Sequence, residues 1–393
     1  MRTAGVLLFL WAALPSLLAQ QQCPVGAGPP EATQVAAIQR ALLNERVEEM
    51  STDISIAAQE KIHKFKDTLV DLANAVMSCT PTESTSSVIQ NTISSLLVKY
   101  PSNSTQTTDE VYGTDLEAIV STPNTFPGLR VIQFRFATAC GYDSLLLFYE
   151  AHLQHWQLKL RWQRNSYDKE SGAFGDFVEY AMLPQASSNK WRVVVSHGHP
   201  WCTSRWSGFE IDLLEPGPVP SSPHVIWHEE DGYAREDAPK LRATSDGFDL
   251  RLDVGTIESD VMVRKGVFRY RVSGNSLERV QPIATNGRSF IDAWLQAPWS
   301  DAQRWTAPSA LADAREAHED FSRERAKKSW NVSYTYGPVH NCGMQRRAQV
   351  EIDRQPGDPT FYIVTSGNNS FTLESVSQKP DGRCSGPDIM KTP

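Results

Sequence analysis

The sequence predicts an α+β protein: an N-terminal helical hairpin or small bundle, a central antiparallel β-rich domain, a helical connector and a short β-rich C-terminal segment. Three observations carry this. Apolar residues recur at three- and four-residue spacing before residue 100, the helical period. From about 128 to 285 they alternate with polar residues, the strand period. After a charged, alanine-rich stretch at 309–328 the alternation returns. Clean alternation means one wet face per sheet, which favours antiparallel strands in a sandwich, with a propeller-like or barrel arrangement as the alternatives. No blade-length repeat aligns.

Residues 1–19 read as a signal peptide. Arg2 supplies the positive start, Gly5 to Leu18 is almost unbroken apolar sequence, and Ala19 offers a small residue before the polar Gln20, Gln21 and Gln22. The stretch is short for a membrane span, and the rest of the chain holds no apolar run of about 18 residues. The expectation is a secreted protein, extracellular or periplasmic, with no stable membrane insertion after the signal is removed. Residues 20–31, rich in Pro and Gly, read as a flexible leader.

Residues 32–100 read as helical. Val35, Ile38, Leu42 and Val47 form one stripe. Ile62, Phe65, Leu69, Leu72 and Val76 form a second. Ser51, Thr52 and Asp53 make a break between them. A third helix is expected from Ser87 to Lys99, with Val88, Ile89, Ile93, Leu96 and Leu97 apolar. The stripes suit an intramolecular core. Self-association through residues 32–99 is the alternative, and it requires the Ile62/Leu69/Val76 stripe to be exposed.

Residues 101–127, rich in Ser, Thr, Asn and Pro, read as a linker. The β-rich domain follows at 128–285. Its expected strands are Val131–Thr138, Leu145–Glu150, Trp156–Gln163, Trp191–Ser196, a run around Phe209, Ile211 and Leu213, Leu241–Ala243, Phe248–Val254, Phe268–Val272 and Leu277–Pro282. In Trp156–Gln163 strict alternation puts Trp156, Leu158, Leu160 and Trp162 on one face. Asp246-Gly247 and Ser273-Gly274-Asn275-Ser276 mark hairpin turns. The connector at 286–328 opens with Phe290, Ile291, Trp294 and Leu295 as an apolar face, with Ser289 and Asp292 resembling a capping box. Its second part, 309–328, has almost no large apolar side chain and reads as solvent-facing. Residues 329–385 return to strands, and 386–393 form a tail.

The formal net charge of -8 argues against non-specific nucleic-acid binding, which needs surplus Lys and Arg. Six cysteines in an exported chain read as disulfides. Of the fifteen pairings, domain layout suggests neighbours: Cys23–Cys79, Cys140–Cys202 and Cys342–Cys384. The absence of C-x-x-C argues against a redox dithiol or zinc ribbon. Asn103, Asn331 and Asn368 head N-x-S/T sequons.

Chemistry-bearing residues are few. No P-loop, G-x-G-x-x-G, G-x-S-x-G, H-E-x-x-H or EF-hand loop occurs, and no cofactor is expected. His197, His199, His224 and His228 fall close together, beside Glu229 and Glu230. Alternate residues of a strand point the same way, so His197 and His199 could share a metal. Gly198 and Pro200 suggest a turn instead, and structural or surface histidines are the leading reading. His152 and His155 flank an expected surface turn. Six tryptophans between Trp156 and Trp227 mainly suit a β core. Trp201 and Trp206, flanking Cys202, are the expected exposed indoles and the ligand-binding candidates. Two functions follow. The first is a non-catalytic binding or interaction module with a glycan or protein partner. The second is an exported hydrolase, carbohydrate-active, using carboxylates or a histidine-bound metal. The hydrolase requires a deep cleft where two or more of His197, His199, His224, His228, Glu229 and Glu230 converge within hydrogen-bonding or ligand distance, whereas the binding module expects those groups dispersed and at most a shallow aromatic groove.

Overall fold

The computed structural model describes residues 28–45, 54–99, 112–138, 141–164, 177–184, 191–199, 204–258, 261–280, 283–327, 334–343, 347–353, 359–367 and 370–390. The stretch read as a signal peptide, Val47, the Ser51–Asp53 break, Cys23, Cys140, Cys202, Trp201 and the three sequon asparagines lie outside them.

Three helices come first: α1 Pro30–Leu42, α2 Ile56–Ser78 and α3 Ser86–Leu96. Ser55 and Thr85 cap α2 and α3 by accepting from Ala58 N and Val88 N. The first sheet follows, with order β1-β2-β3-β4: β1 Glu117–Ser121, β2 Leu129–Thr138, β3 Gly141–His152 and β4 His155–Gln163, all antiparallel. Strand β1 lies inside the stretch read as a linker. Ile62, Leu69 and Val76 of α2 are buried in one core with Ile132, Phe134 and Phe136 of β2. The stripe that self-association would need is thus spent on the sheet.

The second sheet holds β5 Val178–Pro184, β6 Trp191–Gly198, β7 Trp206–Glu215, β8 His224–Ala234, β9 Lys240–Ala243, β10 Gly247–Gly255, β11 Val263–Ser273 and β12 Ser276–Arg279. Its order is β12-β11-β10-β8-β7-β6-β5, with β9 paired to β10. It curls until β5 comes alongside β9, but does not close into a barrel. One face carries its own core of Phe209, Ile211, Tyr233, Leu250 and Phe268. The other packs on the first sheet: Val131, Leu146, Phe148 and Leu160 meet Met182, Trp191, Val193 and Val195. Helices, first sheet and second sheet therefore form three layers.

Strict alternation in β4 does not hold. The β3–β4 register shifts between Phe148 and Tyr149, so Tyr149 pairs with Leu158 and Phe148 with Leu160. The extra residue, Lys159, reverses the facing of everything after it. Trp156 and Leu158 face the helices, while Leu160 and Trp162 face the second sheet.

The connector comprises α4 Gly287–Gln296, α5 Trp299–Ala302 and α6 Leu311–Lys327. The cap of α4 is Asn286, which accepts from Ser289 N at 2.9 Å. The capping-box reading of Ser289 and Asp292 is corrected accordingly: both lie within the helix and are buried. Helix α6 also departs from expectation. Ala314, Ala317, His318 and Phe321 are buried, because small side chains let the helix sit close against the last sheet. That sheet has order β13-β14-β15-β16: β13 Thr335–Asn341, β14 Arg347–Asp353, β15 Phe361–Ser366 and β16 Thr372–Ser377. Cys342 and Cys384 are disulfide-bonded, as expected. Cys79 is also disulfide-bonded, to a partner outside the described residues. Among the described residues no helix is long and apolar enough to cross a membrane.

Candidate functional site

The chemistry-bearing residues meet on the second sheet, where β6, β7 and β8 lie side by side. Register decides this. His197 of β6 lies opposite Glu210 of β7, which lies opposite Glu230 of β8. One step along, Asp212 lies opposite His228. Because successive side chains alternate, these five share one face, while Phe209, Ile211 and Glu229 point to the other. The face is the one the first sheet covers farther along, and β4 ends beside it: the Trp162 ring lies 5.3 Å from that of His197.

His199 joins them from just beyond β6. Its N–H donates to Gly208 O at 2.8 Å, and its carbonyl accepts from Ser207 Oγ at 2.7 Å. Its ring lies across β7 directly over Gly208, where a Cβ would stand 2.7 Å from Nδ1. Gly208 thus makes the space through which His199 reaches Glu210.

Glu210 is the centre. His199 Nε2 lies 2.7 Å from Oε1, His197 Nε2 lies 3.4 Å from Oε2, and Arg164 Nη2 donates to Oε1 at 3.3 Å. Burial pushes this carboxyl up. The hydrogen bonds from His197 and His199, with the charges of His197 and Arg164, outweigh burial and hold it well below the ordinary carboxylate range. His228 is gripped at both nitrogens, Nδ1 2.8 Å from Asp212 Oδ1 and Nε2 3.2 Å from Glu230 Oε1. Partial burial draws its pKa down, but these two bonds and the charges of Asp212 and Glu210 raise it overall.

Of the residues the sequence singled out, His197, His199, His228 and Glu230 converge, which corrects the dispersed arrangement expected of a binding module: strand pairing sets them side by side on one sheet face. His224 does not: it stands at the far end of β8, exposed, with Nδ1 3.9 Å from Glu215 Oε2. Glu229 faces the opposite side and accepts from the Tyr270 hydroxyl at 2.6 Å. Trp206 is 40% exposed and begins the alternate series Trp206, Gly208, Glu210, Asp212 along β7. Sequence reasoning missed Glu210, Asp212 and Arg164. The first two were visible only as the polar positions of an alternating strand, and strand pairing alone gives them partners.

Among the described residues, two sets of ligand-type atoms lie within 4.8 Å of one another: His197, Glu210 and Asp212, and Glu210, His228 and Glu230. Imidazole with carboxylate is the donor set of many transition-metal sites, and also of general acid–base pairs. Cavities of about 230 Å³ beside Arg135 and Glu179, about 240 Å³ beside Arg264 and Asp292, and about 650 Å³ beside Trp299 and His318 are lined by other residues. No protein-family model and no curated protein matches the chain.

Proposed function

We propose that this protein is an exported binding module whose ligand-facing surface is the histidine–carboxylate face of β6, β7 and β8. One observation carries the reading: three imidazoles and three carboxylates from neighbouring strands meet on a sheet face that opens from buried His197 to exposed His228 and Glu230. A rigid sheet holds such groups in fixed geometry without ordering a loop, which favours binding. The apolar leader and the disulfide bonds at Cys79 and between Cys342 and Cys384 support export. The partner expected at the surface is an ion, a glycan or a protein.

The test uses the mature protein recovered from the medium of expressing cells. A glycan array and a panel of divalent metal ions are screened beside chromogenic ester and glycoside substrates. Saturable binding that Glu210→Gln abolishes, with no turnover, is the expected result. Turnover that Glu210→Gln abolishes would replace this reading with the hydrolase.

A further inference from the structure

We infer that this face holds one divalent transition-metal ion, bound by His197, Glu210 and Asp212, with His228 and Glu230 closing its open side. The inference rests on the reading of the face as a binding surface and names its ligand.

Charge is the first argument. Glu210, Asp212 and Glu230 bring three negative charges to the patch, and among the described residues Arg164 is the permanent cation paired with them. A divalent ion that displaces the imidazole protons, including the one His228 holds between Asp212 and Glu230, meets two uncancelled carboxylates, and its charge matches theirs.

Donor type is the second. A calcium or magnesium site is built from oxygens. The imidazole of His197, joined by that of His228 on the open side, among carboxylates instead suits zinc and its first-row neighbours.

Position is the third. The donors of His197, Glu210 and Asp212 already lie within 4.8 Å of one another, and tetrahedral ligands about 2.1 Å from an ion stand roughly 3.4 Å apart. Side-chain rotations of about 1 Å close that gap. His197 is buried, and Glu210 and Asp212 are mostly so, so little side-chain freedom is lost on binding. The Glu210–His228–Glu230 set shares Glu210 but is far more exposed, so it serves as the mouth. Arg164 donates to Glu210 and so competes with an incoming ion for the charge of that carboxylate.

The experiment strips the mature protein with chelator, then titrates it with zinc chloride by calorimetry and with cobalt(II) by visible absorption. Calcium and magnesium chloride serve as comparison ions. Wild-type protein should take up one equivalent of zinc, with calcium and magnesium far weaker. Glu210→Gln and Asp212→Asn should each weaken zinc by ~100-fold or more, beyond the usual effect of losing an outer-sphere partner. Arg164→Gln should tighten zinc binding, which a purely structural arginine would not do. His155→Gln, at the exposed β3–β4 turn, should change nothing.

Absence of saturable zinc uptake by the wild-type protein would overturn the inference, and this result does not depend on any variant folding. So would uptake of unchanged affinity in both carboxylate variants. If zinc fails while another ligand still binds in a Glu210-dependent way, only the metal falls. If no ligand of the screen depends on Glu210, the binding surface falls with it.

Discussion

His318 lies 4% exposed between two indoles, its ring 4.9 Å from Trp294 and 5.5 Å from Trp299, with Nε2 2.9 Å from Ala297 O. Burial pulls its pKa below the ordinary value, and Arg325 pulls the same way. Hydrogen bonds to the backbone of Ala297 and Trp294, and the charge of Glu319, oppose this without reversing it. The fold therefore holds His318 neutral where the unfolded chain would protonate it. Its contribution is complete above about pH 6.5 and is lost as pH falls from there towards the lower folded value. The expected loss is about 1.4 kcal/mol for each unit by which the fold depresses the pKa. Urea unfolding at pH 7.5 and 5.5 checks this. Wild-type protein should lose more stability between the two than His318→Gln, a comparison in which the other titrating groups cancel. Little of this was legible beforehand. His318 stands in a stretch of charge and alanine, and only the 3-4 spacing of Ala314, Ala317 and Phe321 hinted at a buried stripe. The same holds for Glu210 and Asp212, polar residues of an alternating strand until pairing with β6 and β8 supplies their neighbours.

Among the elements, α2 was the most readable. Its stripe at 3-4 spacing is long enough to fix period and face together, and the structure buries it whole. One buried position broke the pattern. Lys66 and Asp143 of β3 form an ion pair at 2.7 Å, both side chains fully buried. Burial draws Lys66 below the ordinary lysine range, and Asp143 partly offsets this. Lys66 Nζ also donates to Arg164 O, so the pair fastens the chain leaving β4, where Arg164 turns towards Glu210. Lys66→Ala should cost roughly 3–5 kcal/mol in denaturant unfolding, because Asp143 is left charged and buried. Lys66→Met with Asp143→Leu should recover most of that loss, since two well-fitting apolar groups remove the uncompensated charge. Strands were legible where alternation was strong and hidden where it was not. Strand β8 is mostly exposed and carries a His-Glu-Glu-Asp-Gly run, poor in the β-branched and aromatic residues that signal a strand. It is nevertheless the strand that brings His228 and Glu230 to the site.

Across the whole molecule, Asp292 of α4 joins the second sheet to the last. It is 1% exposed and accepts from Thr256 Oγ1 at 2.7 Å, Ile257 N at 2.9 Å, Arg264 Nε at 2.6 Å, Gln296 Nε2 at 2.6 Å and the Tyr336 hydroxyl at 3.2 Å. These donors come from the residues just after β10, from β11, from α4 and from β13. Asp292→Ala should cost roughly 3–5 kcal/mol, because the Arg264 guanidinium and several donors lose their acceptor in a dry place. It should also split a shared thermal transition in calorimetry, the C-terminal sheet melting first. A single transition of unchanged midpoint would show that the two sheets are held together elsewhere.

The last sheet has both rims attended. Along β13, Val339 O accepts from Ile389 N and Val339 N donates to Asp388 Oδ1, while Cys384 is tied back to Cys342. Along β16, Leu373 O accepts from Ala307 N. A four-stranded sheet with bare borders offers ladders of hunger for hydrogen bonds, which strands of other molecules can satisfy in endless succession. Here the segment from Cys384 to Ile389 lies along one border and the connector at Ala307 touches the other, so part of each edge is already engaged within the molecule, which works against stacking one copy's sheet onto the next.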